Sequence, residues 1–533
     1  MTTVLAGLLV LLALVAPDDI GQLTPAAFVR IPVEGLVVVA LLLVLPAKAR
    51  RVTAVVTGVL LALLTILKIV DVGFTAVLAR PFDLVLDWGL LGAATGVVED
   101  SIGRVGAIGA VIGAVLLVVA VLALMTLSVL RLTRLVVGHS TVAIRAVVAL
   151  GTVWVACAAL GAQLVAGVPV AARSDAALVR DSAGQVRAGL NDRHAFAAEA
   201  AVDPFRDTPG RELLAGLRGK DVVISFVESY GRSAVEDPQF ATQVDAVLDA
   251  GTRRLDAAGF ASRSAFLTSS TVGGGSWLAH STLLSGLRID NQQRYDSLVA
   301  GDRLTLSRAF GRAGWNTVSV EPAIDSDWPA ARFFGYDKTY DSRNLGYRGP
   351  RFSYATMPDQ YTFSAFERAE RAPGHRPVMA EVTLVSSHSP WTPIPRLVDW
   401  GDLGDGSVFN DPGARVGSPA RSVLGSPSRL RTAYRQSIEY SLNTLISYVQ
   451  TYGDDDLVLV FLGDHQPAPA ITGAGASRDV PITIVAKDPA VLDRISGWGW
   501  QHGLNPGPRA PVWRMDAFRD RFLTAFGPPD SAH

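Results

Sequence analysis

Residues 457–467 read LVLVFLGDHQP: six apolar residues, a glycine, and then Asp464 and His465. A short apolar run without alternation, bounded by polar residues, reads as a strand buried on both faces. Such a strand ends on a carboxylate and an imidazole either because the chain simply reverses there or because its tip is a metal site. Other runs of the same kind are DVVISFVES (221–229), NTVSV (316–320), VMAEVTLVSS (378–387) and VPITIVA (480–486). Helical stretches over 240–258, 304–313, 359–371 and 430–451 separate them. That alternation predicts an α/β domain with a mainly parallel sheet flanked by helices. In open α/β sheets ligands gather beyond the carboxyl ends of the strands. Read by their tips, three strands deliver Glu228, His388, and the Asp464–His465 pair. Carboxylates with imidazole suit a divalent cation of borderline hardness, so Mn²⁺, Zn²⁺ and Mg²⁺ all fit. Between the first two strands lies FLTSSTVGGGSWLAHSTLLSGL (266–287), where three glycines precede Ser276 at the start of a helix. Backbone N–H groups at such a terminus favour phosphate, although an ordinary serine N-cap has the same pattern.

The first third of the chain has another texture. Of 533 residues 49% are hydrophobic, and nearly all long apolar runs precede residue 170. Five stretches, near 2–17, 31–47, 52–78, 105–130 and 142–168, approach the roughly 20 residues that span a bilayer. Their connections alternate in charge: Asp18 and Asp19, then KARR (48–51), then Asp83, Asp87, Glu99 and Asp100, then Arg131 and Arg134. Because basic loops stay cytoplasmic, the N-terminus is expected inside and everything beyond 170 outside. Glu34, Lys68, Asp71 and Arg145 fall in or beside these spans; Lys68 and Asp71, three apart, share a helical face. The expected organisation is a transmembrane domain over 1–170, a helical linker over 171–217 and a catalytic domain over 218–530. Within the last, 401–429 is rich in Gly, Ser, Pro and Asp and reads as a flexible insertion. A formal charge of -1 offers nothing to nucleic acid. The single cysteine, Cys157, lies in an apolar run, which rules out an intrachain disulfide.

A strand ending in Glu, a Gly-rich loop opening a helix on a hydroxyl, a strand ending SSH and a late GDH resemble, in that order, the alkaline phosphatase/sulfatase superfamily. Five spans before an extracytoplasmic domain look like its lipoteichoic acid synthase branch, the polyglycerol-phosphate synthases, as do FFGYDKTYDSR (333–343) and VTLVSSHSPW (382–391). The resemblance implies that Glu228, Asp464 and His465 hold the metal, Mn²⁺ before Zn²⁺ or Mg²⁺, together with Ser276. Ser276 stands where the branch has a nucleophilic Thr, and TVGGGS (271–276) keeps the Thr-Gly-x-Gly-x-Thr spacing; Thr271 is the fallback. It also implies that His388 serves substrate and catalysis. Trp328 and Arg332 are the nearest candidates for contacts to glycerol phosphate, and His502 for a late active-site His. The implied activity moves a glycerol-phosphate head group from a phospholipid to a cell-envelope polymer or glycolipid. Alternatives are a phosphoethanolamine transferase, a phosphodiesterase, or a non-catalytic envelope scaffold. Sulfatase chemistry through formylglycine is excluded, since the only cysteine is Cys157 and 266–287 contains no Ser-x-Pro-x-Arg.

Overall fold

A computed structural model of the chain describes residues 2–17, 28–165, 168–172, 174–352, 354–417, 422–423, 425–473 and 475–528. It divides into two units, Met1–Asn191 and Asp192–His533. The first is helical: α1 (Thr2–Val15), α2 (Val33–Val44), α3 (Ala47–Leu78), α4 (Trp88–Gly138) and α5 (Ser140–Leu160). Among the described residues, three segments are long and apolar enough to cross a membrane: α3, the Gly103–Gly138 part of α4, and α5. The five expected spans are thus five apolar helices, of which α1 and α2 have only 14 and 12 residues. Prolines set the limits of α2, since Pro32 is its N-cap and Pro46 follows its C-cap Leu45, and a proline cannot continue a helix. Gly103, at φ 78°, breaks α4. Where α3 meets α4, a Cβ on Gly58 would lie 2.6 Å from the Thr126 Cα, the close approach that small residues allow between apolar helices. Lys68 is buried and donates to the Ala13 carbonyl at 2.9 Å, while buried Asp71 accepts from the Phe82 N–H at 2.9 Å. Asp18 and Asp19 lie outside the described residues.

A further helix, α6 (Ser174–Ala201), covers most of the stretch expected as a linker. The remainder of that stretch is not a spacer, because Leu213, Leu214 and Leu217 bury in the apolar core of the second unit.

The second unit is built on a sheet of nine strands: β1 (Asp221–Val227), β2 (Ala261–Thr268), β3 (Asn316–Glu321), β4 (Lys338–Asp341), β5 (Val378–Leu384), β6 (Leu457–Gly463), β7 (Asp479–Ala486), β8 (Gln501–His502) and β9 (Val512–Arg514). Their order is β8-β2-β7-β6-β1-β5-β3-β4, with β9 also on β2. From β6 to β4 every pair is parallel. The mainly parallel sheet is therefore present, but β7, expected within it, runs antiparallel to β6 and to β2.

Alternate residues of β1 serve opposite faces, as strand geometry requires. Val223 and Val227 pack with α7 (Ala241–Ala257), α10 (Asp359–Glu370) and α11 (Pro427–Tyr452). Val222, Ile224 and Phe226 pack with α8 (Ser276–Ser285) and α9 (Leu306–Ala313). The stretch 401–429 is not a flexible insertion where it is described: Leu403, Phe409 and Ala414 are buried, and Arg415–Val416 pairs with Ile394–Pro395. Its few apolar residues are enough to anchor a loop that composition alone marks as mobile.

The far end of α8 is held by charge. Arg519 Nη1 and Arg303 Nε donate to the Ser285 carbonyl at 2.7 and 3.0 Å. Asp203, whose side chain is enclosed, pairs with Arg519 at 2.5 Å and Arg303 at 3.5 Å. Removing one partner of a buried pair leaves the other charge unmatched. Asp203→Ala should therefore cost about 3–5 kcal/mol of second-unit stability, read as a lowered denaturation midpoint; a midpoint within error of wild type would contradict it.

Candidate metal centre

The central parallel trio brings the site together. Gly463 of β6 is in register with Val227 of β1, and Val227 with Leu384 of β5. Glu228, Asp464 and the Val385–His388 turn therefore leave one edge side by side. The alternation that turns Phe226 and Leu462 towards α8 puts Glu228 and Asp464 on that same face. The loop from β2 to α8 crosses above them, fixed by Gly273 N–H donating to the Gln466 carbonyl at 2.8 Å and Ser269 Oγ to the Asp464 carbonyl at 2.6 Å. Gly275, the N-cap, sits at φ 81°, a conformation glycine takes without strain, and delivers Ser276 as the first residue of α8.

Ser276 Oγ donates to Glu228 Oε2 at 2.9 Å and lies 3.3 Å from His465 Nε2. That nitrogen is 3.5 Å from both Glu228 Oε1 and Asp464 Oδ2. His465 Nδ1 faces the Gln466 carbonyl at 2.9 Å, which directs the Nε2 lone pair inward. The remaining oxygens have partners too: Asp464 Oδ1 accepts from the Ser229 and His465 N–H groups, and Glu228 Oε1 from Ser229 Oγ. Four ligands 2.0–2.2 Å from one tetrahedral centre stand about 3.4 Å apart, so these spacings of 2.9–3.5 Å fit a divalent cation. Glu228, Asp464 and His465 are all buried and form one of the groups able to hold a metal ion.

Electrostatics point the same way. Burial and the charge of Glu228 push the Asp464 carboxyl up to about 6. Burial opposes ionisation of Glu228 as well, but the imidazoles of His465 and His388 and the Ser229 hydroxyl outweigh it and bring that carboxyl down. Burial disfavours the His465 cation, yet Asp464 and Glu228 raise its pKa. Two carboxylates sharing one buried site split in this way until a cation satisfies both.

The other expected site residues divide. His388 borders the trio, with Nδ1 2.7 Å from the Ser389 carbonyl and its ring stacked on Tyr354. Thr271 is buried with Oγ1 unpartnered, and it contacts none of these ligands. Trp328 packs near Phe334 and Tyr336, and Arg332 is exposed on the turn Ala331–Phe334; neither bonds to the cation ligands. His502 is the clear departure. It pairs with Arg263 on β2, five residues before Thr268, hence about 16 Å along the strand from the loop that carries the site. Its nearest charge there is Asp256, at 3.7 Å. The antiparallel β7 reverses the chain, so a late histidine lands at the opposite edge.

Sequence reading passed over Ser229, Ser269 and Gln466, which orient the ligands, and a neighbouring buried group of His280, Glu321 and Glu381. Glu321 closes β3, and the strand-tip criterion applied there would have found it. Glu381 interrupts the apolar run of β5, which was a further signal.

No protein-family model matches the chain, and no curated protein does. Solved structures do. The chain is similar to the lipoteichoic acid synthase LtaP from Listeria monocytogenes, at 16% identity over 60% of this chain and 74% of that one, with a TM-score of 0.40. It is similar to the integral membrane lipooligosaccharide phosphoethanolamine transferase A from Neisseria meningitidis, at 13% identity over 98% and 95%, with a TM-score of 0.49. The phosphoglycerol transferase GacH from Streptococcus pyogenes, in complex with sn-glycerol-1-phosphate, gives 12%, 62%, 91% and 0.35.

Metal uptake requires ionised carboxylates. Asp464 sits at about 6, and His465, raised by its carboxylate neighbours, must also be neutral to bind. Affinity should therefore still climb with pH through 6, level off only once His465 has lost its proton, and fall by more than tenfold per unit below about 6. Isothermal titration with Mn²⁺ between pH 5 and 8 reads this directly. Asp464→Asn should cut affinity sharply by removing an anionic ligand, and unchanged occupancy after dialysis would refute the assignment.

Proposed function

We propose that the chain is a membrane-anchored, metal-dependent phosphotransferase that moves a glycerol-phosphate head group from a phospholipid to a cell-envelope polymer or glycolipid. The observation that carries this reading is one hydroxyl, Ser276 Oγ, at a helix N-terminus and 2.9 and 3.3 Å from Glu228 and His465. A half-buried hydroxyl held between a carboxylate and an imidazole at a helix start is placed to act as a nucleophile. Glu228, Ser276, Asp464 and His465 would hold a divalent cation, Mn²⁺ by resemblance and Zn²⁺ or Mg²⁺ by donor type, which would make the serine hydroxyl more acidic and offset phosphate charge.

Ser276 Oγ attacks the phosphorus of the head group as the bond to the diacylglycerol oxygen breaks, giving a serine phosphodiester that still carries the head-group glycerol and releasing diacylglycerol. The first-turn N–H groups and dipole of α8 face the transferred phosphoryl oxygens. His388 Nδ1–H is tied to the Ser389 carbonyl, so Nε2 carries the exchangeable proton and gives it to the leaving oxygen. In the second step an acceptor hydroxyl attacks this phosphodiester, returns a proton to His388 Nε2 and frees Ser276. Trp328 and Arg332 are proposed to flank the head group. His502, on the opposite edge of the sheet, has no part in this scheme.

The basic loop at Lys48, Arg50 and Arg51 supports a cytoplasmic N-terminus and an outward catalytic domain. Covalent attachment to an apolar helical unit then keeps the nucleophile near its lipid donor at high effective concentration. Transfer of phosphoethanolamine by the same residues is the competing reading, because head-group choice rests on side chains away from the cation.

Purified full-length protein incubated with Mn²⁺ and either phosphatidylglycerol or phosphatidylethanolamine, each labelled in the head group, separates the two. A labelled serine phosphodiester mapping to residue 276, formed from phosphatidylglycerol in preference, is the expected result. Ser276→Ala should fold, retain the cation at reduced affinity, and lose at least about 10³-fold in turnover. Wild-type transfer by that variant would remove the assigned nucleophile.

A further inference from the structure

His280 lies one turn beyond Ser276 on α8, about 6 Å along the axis, and faces the same side. Its ring stacks on Phe226 of β1, with centroids 3.7 Å apart and planes 13° from parallel. Nδ1 is 3.1 Å from Glu381 Oε1 on β5, and the Tyr336 hydroxyl donates to the other Glu381 oxygen. Glu321, at the tip of β3, accepts from Ser319 Oγ at 3.2 Å. One ring nitrogen of His280 and one oxygen from each glutamate lie within 4.8 Å of one another. All three residues are at most 8% exposed.

Two features distinguish this group from a satisfied structural network. First, His280 Nε2 is buried without a hydrogen-bond partner, which is costly for a polar atom in the interior. Second, the charges do not close. Two carboxylates face one imidazole, and no Lys or Arg pairs with either glutamate among the described residues. Even a protonated His280 leaves one negative charge buried, which requires a proton or a cation. Burial and the charge of Glu381 push Glu321 up to about 7, so a compensating proton is weakly held at neutral pH. The donor set, two carboxylates and one imidazole, is the same as that contributed by Glu228, Asp464 and His465.

We propose that His280, Glu321 and Glu381 form a second divalent-cation site, suited to Zn²⁺ or Mn²⁺, one helical turn from the nucleophile. Oxygen and nitrogen donors of this kind match both ions. A cation there ties α8 to β3 and β5 and cancels the charge under the helix that presents Ser276.

The test counts metal and needs no turnover, so it stands apart from the transferase reading. Full-length protein in detergent is stripped with chelator, dialysed against MnCl₂ or ZnCl₂ at pH 7.5, and analysed by mass spectrometry for metal per chain. The expected result is about two ions for wild type, about one for folded Glu321→Gln, His280→Gln or Asp464→Asn, and none for Asp464→Asn/His280→Gln. Mn²⁺-loaded wild type should also show spin–spin broadening in its electron paramagnetic resonance spectrum, which either site's variants lose. One ion in wild type, or two retained by both cluster variants, overturns the proposal. If the cluster variants fail to fold, Asp464→Asn decides alone: one ion supports the second site and none overturns it.

Discussion

The in-register packing of three parallel strands is the constraint on which the site depends. β6, β1 and β5 are adjacent, run the same way and end within one residue of one another. Their terminal residues, Val227, Leu384 and Gly463, are spread along the chain, yet they need no special loop to meet. The register also fixes which face they use. A slip of one residue in any of the three would turn its side chain to the opposite face, towards α7 and α11 rather than α8. Both faces of the trio are buried, so such a slip would also mismatch the packing on each face, and the hydrophobic core holds the ligand geometry in place.

This explains why much of the fold and part of the site are legible in the sequence. Strands buried on both faces are largely apolar runs, and their ends are visible as the polar residues that close them: Glu228, Asp464, Ser386. The strands at the β8–β2 end of the sheet carry no such mark. β2, ASRSAFLT, mixes polar and apolar residues, and β8 and β9 have two and three residues. Direction along the sheet is invisible as well, which is why His502 was expected near a site from which the antiparallel β7 removes it. The same blindness applied to 401–429, where composition reports backbone freedom but not the burial of apolar side chains such as Leu403, Phe409 and Ala414. The membrane-spanning unit was legible in kind, though α1 and α2, at 14 and 12 residues, are shorter than a bilayer crossing needs.

Burial gives the ligand trio its chemistry. In water, Glu228 and Asp464 would both be ionised and His465 mostly neutral. Enclosed together, the carboxylates move apart in pKa while the imidazole rises, so the group holds protons that a cation can displace. The hydrogen bonds to Asp464 Oδ1 and Glu228 Oε1 come from backbone and a serine rather than from Lys or Arg. A basic residue would neutralise the pair permanently; neutral donors orient the ligands and leave the charge available to an ion.

Phosphoryl transfer is mostly a matter of position, and α8 shows how position is obtained. Its first residue is the nucleophile, delivered by Gly275 in a left-handed conformation. Its last carbonyl, Ser285, accepts from Arg519 and Arg303, positive groups where the helix dipole is negative. Its middle is held by His280 against Glu381 and Phe226. A ten-residue helix fixed at both ends and at the centre has little freedom to rock or slide. That matters because misplacing a reacting atom by about 1 Å can cost 100-fold in rate. The polar residues within α8, and the charges packed against it, therefore belong to one device. Each would be a liability in an ordinary core helix, and together they hold a single oxygen against its ligands.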